Sequence, residues 1–426
     1  MGGLGTRLAD YTATCPKSLV PVNGHPFFEY QLNLMINNGF KRFLFCIAHM
    51  GRQIEEYFGE GSKFASDITI EYSYDGDKLL GTAGAIVNAC DKIDDDFLLI
   101  YGDSYMDVDY EEIIYRYYKG KEIGKQALMT IYENSGLYDN SNVLTDDNRI
   151  IAYSKKNRTP DMKYIDYGIS VFSKAVFESL EFGKEYDLSD IQSKLVTDDN
   201  MSVSEVTKRF YEIGSENALK SFEEYILNRF DVPAKAVFLD RDGVINDMVY
   251  NDATEQIDSP FDISDVEIID GVIESLKKFR DDGYRLFLVT NQPAAAKGKV
   301  KLNRIYDINR FIVKKLSSEG IVFDDVRICP HHPKGQYVTD DTHLIKDCDC
   351  RKPKTGMIDT VLRKYNIDIK NSYMVGDSYT DILAGQNAGL STVFLGDLKC
   401  DLCKRLNYIE PDYVYKSLSE MADKLI

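Results

Sequence analysis

Residues 236–247 read AVFLDRDGVIND. Four apolar residues run into Asp240, Asp242 follows two positions later, and Gly243 comes next. A short apolar run before a turn reads as a buried strand. In an open α/β sheet, ligands bind beyond the carboxyl ends of strands, so Asp240 is expected at such an end. A carboxylate there can attack phosphorus and form an aspartyl-phosphate. Asp242 is placed to protonate the leaving oxygen and later to activate water. Taken alone, the stretch reads equally well as an acidic turn after a strand.

Working outward, RLFLVTNQ (285–292) is a second strand, ending in Thr290, whose hydroxyl can hold a phosphate oxygen. SYMVGDSYTD (372–381) is a third, ending in Gly376 and Asp377, with Asp381 one helical turn beyond. Carboxylates from separate strand ends can share a hard Mg²⁺, which also screens a phosphate from the attacking Asp240. Lys352, in CRKPKTG, supplies the positive charge that lets carboxylate and phosphate approach. In this order the residues resemble the haloacid-dehalogenase phosphatases, over roughly residues 234–396. The resemblance implies a Rossmann-like α/β domain with Asp240, Asp242, Thr290 and Lys352 as its catalytic set. It implies Mg²⁺ on Asp240, Asp242 (through its backbone carbonyl) and Asp377, and a substrate phosphate near Asn291 and Arg351.

CPHHP and CDC supply Cys329, His331, Cys348 and Cys350. Three thiolates and one imidazole suit a closed, structural Zn²⁺ site that ties down a long loop. His332 is the other possible imidazole; the pattern of similar families favours His331. Arg351 and Lys352 follow the last ligand, so the metal would position the phosphate-binding cations. Such a loop is similar to those of the heptose-bisphosphate and histidinol-phosphate phosphatases. The former usually read TNQSGIARG where this chain has TNQPAAAKG, with Pro293 added and Lys297 for Arg, so the substrate stays open between them.

The chain opens MGGLGTRLAD, with PKSLVPV from residue 16. Glycines let backbone N–H groups approach a triphosphate closely. The pair of motifs resembles the sugar-1-phosphate nucleotidyltransferases. That implies a nucleotide held by Gly2, Gly3, Gly5, Thr6, Arg7 and Lys17, with Gly81, Thr82 and Ala83 of LLGTAGAI against the base. It implies Mg²⁺ on Asp103 and on Glu212, where an Asp is usual, and Lys156 on the sugar phosphate. A phosphate loop of this kind needs a strand behind it, and only Met1 stands there. The first strand of the sheet is therefore expected to be missing, with a short apolar segment encoded upstream. Cys15 reads as a buried thiol, and Cys400 and Cys403 as a thiol pair without a metal.

At 426 residues the chain is too long for one ordinary core. FEEYILNRFDVPAK (222–235) reads as a closing helix, a turn and a new strand, giving domains over 1–230 and 234–426. Lys and Arg number 51 against 69 Asp and Glu, a net charge of -18, which argues against nucleic acid and anionic membranes as partners. No run of about 18 apolar residues and no signal segment is visible, so a cytoplasmic location is expected. The eight cysteines then read as metal ligands or buried thiols rather than disulfides. The combined resemblance implies a bifunctional enzyme of activated-heptose synthesis. One half removes the 7-phosphate of heptose 1,7-bisphosphate. The other transfers a nucleotidyl group, with GTP favoured as donor, to the heptose 1-phosphate. The alternative is a phosphatase of another metabolite, such as histidinol phosphate, with an N-terminal module that only binds nucleotide sugars. A homo-oligomer is left open.

Overall fold

The structure is a computed structural model that describes residues 9–76, 78–134, 140–146, 149–252, 255–396 and 409–426. The glycine-rich loop (Gly2, Gly3, Gly5, Thr6, Arg7) and the Cys400–Cys403 pair lie outside the described residues. The chain divides into two compact units, Met1–Ile226 and Leu227–Ile426.

In the first unit, β1 (Arg42–Ile47) and β2 (Thr69–Tyr74) form a parallel pair. A larger sheet holds β3 (Asp96–Ile100), β4 (Ala127–Glu133), β5 (Val143–Asp146), β6 (Arg149–Tyr153), β7 (Tyr164–Ser173) and β8 (Met201–Val206). Its order is β8-β4-β7-β5-β6, with β3 also pairing antiparallel to β7. Helix Phe27–Asn37 puts Phe28, Leu32 and Met35 on one stripe, the 3–4 spacing of an amphipathic helix, and packs it against Phe43 and Phe45 of β1.

The outer edges of β1 and β3 have no strand partner among the described residues. Between them lies a cavity of about 580 Å³, bounded by residues 42–46 and 96–102. Side chains alternate faces along a strand, so a wall made of every consecutive residue is a backbone edge, not a face. The cavity is mostly apolar, with Phe28, Met35, Phe45, Leu98 and Ile100 around it.

The second unit has a parallel sheet of β9 (Ala236–Leu239), β10 (Arg285–Asn291), β11 (Asp325–Cys329), β12 (Tyr373–Gly376), β13 (Ser391–Leu395) and β14 (Tyr413–Tyr415). Its order is β11-β10-β9-β12-β13-β14, every neighbour parallel. Val237 and Leu239 join Leu286 and Leu288 in one core, under helices Val272–Asp281 and Leu302–Ser318. Ala236, Phe238, Phe287 and Val289 face the other, under helix Gly356–Lys364. Helices on both faces explain why these strands read as unbroken apolar runs instead of alternating ones. The chain leaves β9 toward β10 and β11 and returns on its other side at β12. This reversal leaves a crevice at the carboxyl end of β9.

Candidate active sites

Asp240 sits in that crevice, directly after β9. The buried Lys352 lies with its Nζ 2.9 Å from Asp240 Oδ1 and 2.6 Å from Asp381 Oδ1. Its ammonium also donates to the carbonyl of Val289 at 2.7 Å. Burial works against the charge on Lys352, but Asp240 and Asp381 outweigh it and hold the pKa above its ordinary value. The side chain of Asn291 clasps the backbone of Lys352 from both sides. Its Nδ2 donates to the Lys352 carbonyl, and its Oδ1 accepts from the Lys352 N–H, each at 3.1 Å. Asn291 thus positions the cation from sixty-one residues away.

Asp377 follows β12, and one carboxylate oxygen from each of Asp240, Asp377 and Asp381 falls within 4.8 Å of the others. Burial and the neighbouring carboxylates push Asp377 up to about 7. Burial, with Asp381 and Asp242 adding to it against Lys352, pushes Asp240 up to about 6. A hard dication relieves this crowding, so the donor set fits Mg²⁺. Gly243 has φ +78°, and a Cβ there would lie 2.2 Å from Asp377 Oδ2. The glycine of the opening motif is therefore what admits the third strand's carboxylate.

The Asp242 carboxylate lies outside that trio. It accepts from the Arg241 guanidinium at 3.0 Å, from Asn246 at 3.0 Å and from Gln292 at 2.6 Å. Burial raises its pKa, but Arg241 and these hydrogen bonds together hold it below the ordinary carboxylate range. Thr290 is buried, and its hydroxyl accepts from Gln292 at 3.0 Å, which leaves its own proton to donate.

Cys329 ends β11, and its sulfur lies 3.6 Å from Cys348 and 3.2 Å from Cys350. His331 Nδ1 lies 3.3 Å from Cys350 and 3.8 Å from Cys329. A tetrahedron with Zn–S bonds of about 2.3 Å has sulfur–sulfur edges of roughly 3.7 Å, so the set fits Zn²⁺. His332 is turned elsewhere, with its Nδ1 accepting from the backbone N–H of Lys334 at 3.1 Å. Arg351 donates to the His331 carbonyl at 3.3 Å.

In the first unit Asp103 stands three residues beyond β3, with Lys17 Nζ 2.6 Å from its Oδ2. Ser104–Tyr105 pairs antiparallel with Tyr211–Glu212, which sets Glu212 opposite Ser104 and beside Asp103. Gly81, Thr82 and Ala83 open helix Gly81–Asn88. The Tyr186 carbonyl accepts from the N–H groups of Ala83 and Gly84, and a Cβ on Gly81 would lie 2.5 Å from it. Thr82 Oγ1 accepts from the Leu188 N–H at 3.0 Å. The small residues here are needed to let residues 184–188 come close.

Lys156 is 77% exposed and reaches Asp190 at 3.6 Å. Its neighbour Lys155 is exposed as well, with its Nζ 5.9 Å from the centre of the Tyr101 ring. Lys155 acts on Asp166, a residue the sequence reading passed over. Asp166 lies in β7 where the register shifts, and accepts from the Gly168 N–H, the Tyr153 hydroxyl and Gln192. Burial holds its pKa up, against Lys155 and these donors. An acid inside the apolar run YIDYGI, two residues before a glycine, was its visible signal.

Residues 1–229 match the nucleotidyl transferase family, more than half of the chain, and residues 349–421 match a HAD-hydrolase-like family. The D-glycero-beta-D-manno-heptose-1,7-bisphosphate 7-phosphatase of Haemophilus ducreyi is 40% identical over 162 residues, covering 38% of this chain and 82% of that protein. The chain belongs to both the nucleotidyl transferase and the heptose-bisphosphate phosphatase families. The D-glycero-alpha-D-manno-heptose-1,7-bisphosphate 7-phosphatase of Photorhabdus laumondii is 39% identical over 161 residues, covering 38% of this chain and 81% of that protein. For the nucleotidyl transferase half, one similar solved structure is HddC from Yersinia pseudotuberculosis complexed with GMP-PN. It is 22% identical and covers 53% of this chain and 96% of that one, with a TM-score of 0.43.

Proposed function

We propose that the chain carries out two steps in the making of a nucleotide-activated heptose, in a cytoplasmic setting. The second unit hydrolyses the 7-phosphate of a heptose 1,7-bisphosphate. The first transfers a nucleotidyl group, GMP from GTP as the favoured case, to the heptose 1-phosphate. The observation that carries the first step is the buried Lys352 held between Asp240 and Asp381 at the end of the central strand.

A carboxylate oxygen of Asp240 attacks the 7-phosphorus; the new O–P bond forms as the bond to the sugar oxygen breaks. Lys352 lowers the repulsion between the two anions, and the Thr290 hydroxyl donates to a phosphate oxygen. The departing oxygen takes a proton and becomes the sugar hydroxyl. Asp242 is the carboxyl two residues from the nucleophile; the Arg241–Gln292 clasp holds it ionised, so it delivers that proton only after turning out of the clasp and taking one up from solvent. Water then hydrolyses the aspartyl-phosphate, returning Asp240 and inorganic phosphate. Mg²⁺, when bound by Asp240, Asp377 and the backbone of Asp242, screens the phosphate charge. Zn²⁺ on Cys329, His331, Cys348 and Cys350 holds the loop that carries Arg351 and Lys352.

In the other half an oxygen of the sugar 1-phosphate attacks the α-phosphorus of the nucleoside triphosphate, and pyrophosphate leaves. Lys17 and Asp103 stand at this centre with Glu212 beside them, while Asp166 and Lys155 form a polar recess for the sugar.

The test is a two-stage assay. The alpha and beta anomers of heptose 1,7-bisphosphate are supplied separately, with histidinol phosphate as comparator. Phosphate release is read first, and pyrophosphate release is read after adding each of the four nucleoside triphosphates. Release from a heptose anomer followed by GTP-dependent pyrophosphate is expected. Release from histidinol phosphate alone, with nucleotide bound but not turned over, would overturn the reading in favour of the alternative.

A further inference from the structure

Beyond Asp242 the chain makes a hairpin of two three-residue strands, Val249–Asn251 and Gln256–Asp258. They pair with each other and, among the described residues, with no strand of the six-stranded sheet. A hairpin this short is marginal by itself in water, so a tie from outside must hold it. Its register gives it two faces. Tyr250 lies opposite Ile257, and both are exposed. Gln256 and Asp258, two apart, share the other face. There Lys299 meets both. Its Nζ lies 2.7 Å from each carboxylate oxygen of Asp258 and 3.1 Å from Gln256 Oε1.

The Lys299 side chain is only 2% exposed. An ammonium has three N–H donors, and three acceptors on the hairpin match them, which leaves none for a phosphate. A buried ion pair adds little net stability over apolar residues of similar volume; its best-attested use is to fix one arrangement among several. The base from which Lys299 reaches is itself tightly wound. The N–H groups of Lys297, Gly298 and Lys299 donate to the carbonyls of Pro293, Ala295 and Ala294, each at 2.9 Å.

What this tie fixes is visible at the feet of the hairpin. Asn246, three residues before the first strand, donates to Asp242 Oδ1 at 3.0 Å. Ser259, directly after Asp258, gives the same carboxylate another side-chain hydrogen bond. Both feet therefore close on Asp242, and the residue that Lys299 grips is next to one of them. We propose that Lys299 is a positioning residue of the phosphatase: by holding Asp258 it keeps Ser259 against Asp242, and so keeps that carboxyl within reach of the leaving oxygen. The proposal rests on the reading of Asp242 as the group that protonates the departing sugar.

The experiment measures kcat and KM on two substrates in the full chain. Heptose 1,7-bisphosphate has a leaving oxygen that needs a proton; p-nitrophenyl phosphate has one that leaves as a stable phenolate. The variants are Lys299→Met, Ser259→Ala and, as reference, Asp242→Asn. Asp258→Asn breaks the same pair with the volume kept, and stands in if Lys299→Met does not fold. For Lys299→Met, kcat on the heptose substrate is expected to fall at least about tenfold, part of the roughly 10²–10⁴ that a positioned acid contributes. KM should stay within about threefold, and kcat on p-nitrophenyl phosphate should fall less than about threefold. Ser259→Ala should repeat the pattern, and Asp242→Asn should show it more strongly. Equal losses on both substrates in Lys299→Met would reduce Lys299 to a structural role and overturn the proposal. So would a loss confined to KM, or a Ser259→Ala enzyme that behaves as wild type. Equal losses in Asp242→Asn would instead overturn the reading of Asp242 as the acid, a separate failure that takes the proposal with it.

Discussion

Asp240 shows how much chemistry a single position can carry. Replacing it with Asn keeps the shape but removes the proposed nucleophile, so phosphate release is expected to fall by more than about a hundredfold. Nucleotidyl transfer in the same sample should be unchanged, and a phosphate assay beside a pyrophosphate assay checks both. Gly243→Ala tests the geometry next to it. The Cβ would stand 2.2 Å from Asp377 Oδ2 on a residue at φ +78°. A loss of about 1–3 kcal/mol of stability is expected from the backbone alone, together with weaker Mg²⁺ dependence, read by thermal unfolding with and without the ion. Asp166 gives a pH prediction. Its native pKa is raised, so its contribution to stability is complete below the unfolded carboxylate value of about 4. That contribution is lost as the pH rises through the native value. Asp166→Asn removes this titration, so its midpoint relative to wild type should be higher at pH 8 than at about pH 3.5, below the unfolded value. A variant offset that stays constant or falls between those pH values would show that Asp166 is not the group concerned.

At the scale of elements, legibility followed sequence distance. Asp240, Thr290, Asp377 and the Cys329, His331, Cys348 and Cys350 cluster announce themselves because each sits in a short motif at a strand end or in a loop. The Asn291 clasp on Lys352, the pairing of Lys352 with Asp381 and the Arg241–Gln292 hold on Asp242 join separate motifs. No local period encodes such contacts. The same holds for Lys155 and Lys156, adjacent and both exposed but reaching different partners, Asp166 and Asp190, and for Asp166 itself, which lies where the register of β7 shifts. The zinc loop is the element most open to test. Metal analysis should find about one Zn²⁺ per chain. Cys348→Ser should lose the zinc and cut phosphatase activity at least tenfold, because Lys352 stands two residues after Cys350. Nucleotidyl transfer serves as the internal control. A zinc-free protein with full phosphatase activity would remove the metal from the account.

At the scale of the whole molecule, each core cluster draws its residues from one unit only. Residues 227–426, expressed alone, are therefore expected to fold and to release phosphate at the same rate per molecule as the full chain. Circular dichroism and the phosphate assay check this, and an unfolded or inactive fragment would show that the units are not independent. One feature of the second unit also bears on how its substrate range can change. Residues 293–299 lean on the zinc loop: the Tyr337 N–H donates to the Lys297 carbonyl at 2.9 Å, and a Cβ on Gly298 would lie 2.8 Å from the Tyr337 and Val338 carbonyls. The two segments form one contact surface though they are about forty positions apart. Mutational libraries confined to residues 293–299 will therefore return mostly inactive clones. Libraries that recombine both segments together are expected to retain more active clones, because a change on one side of the contact is then met by a change on the other; a phosphate-release screen of the two libraries side by side checks this.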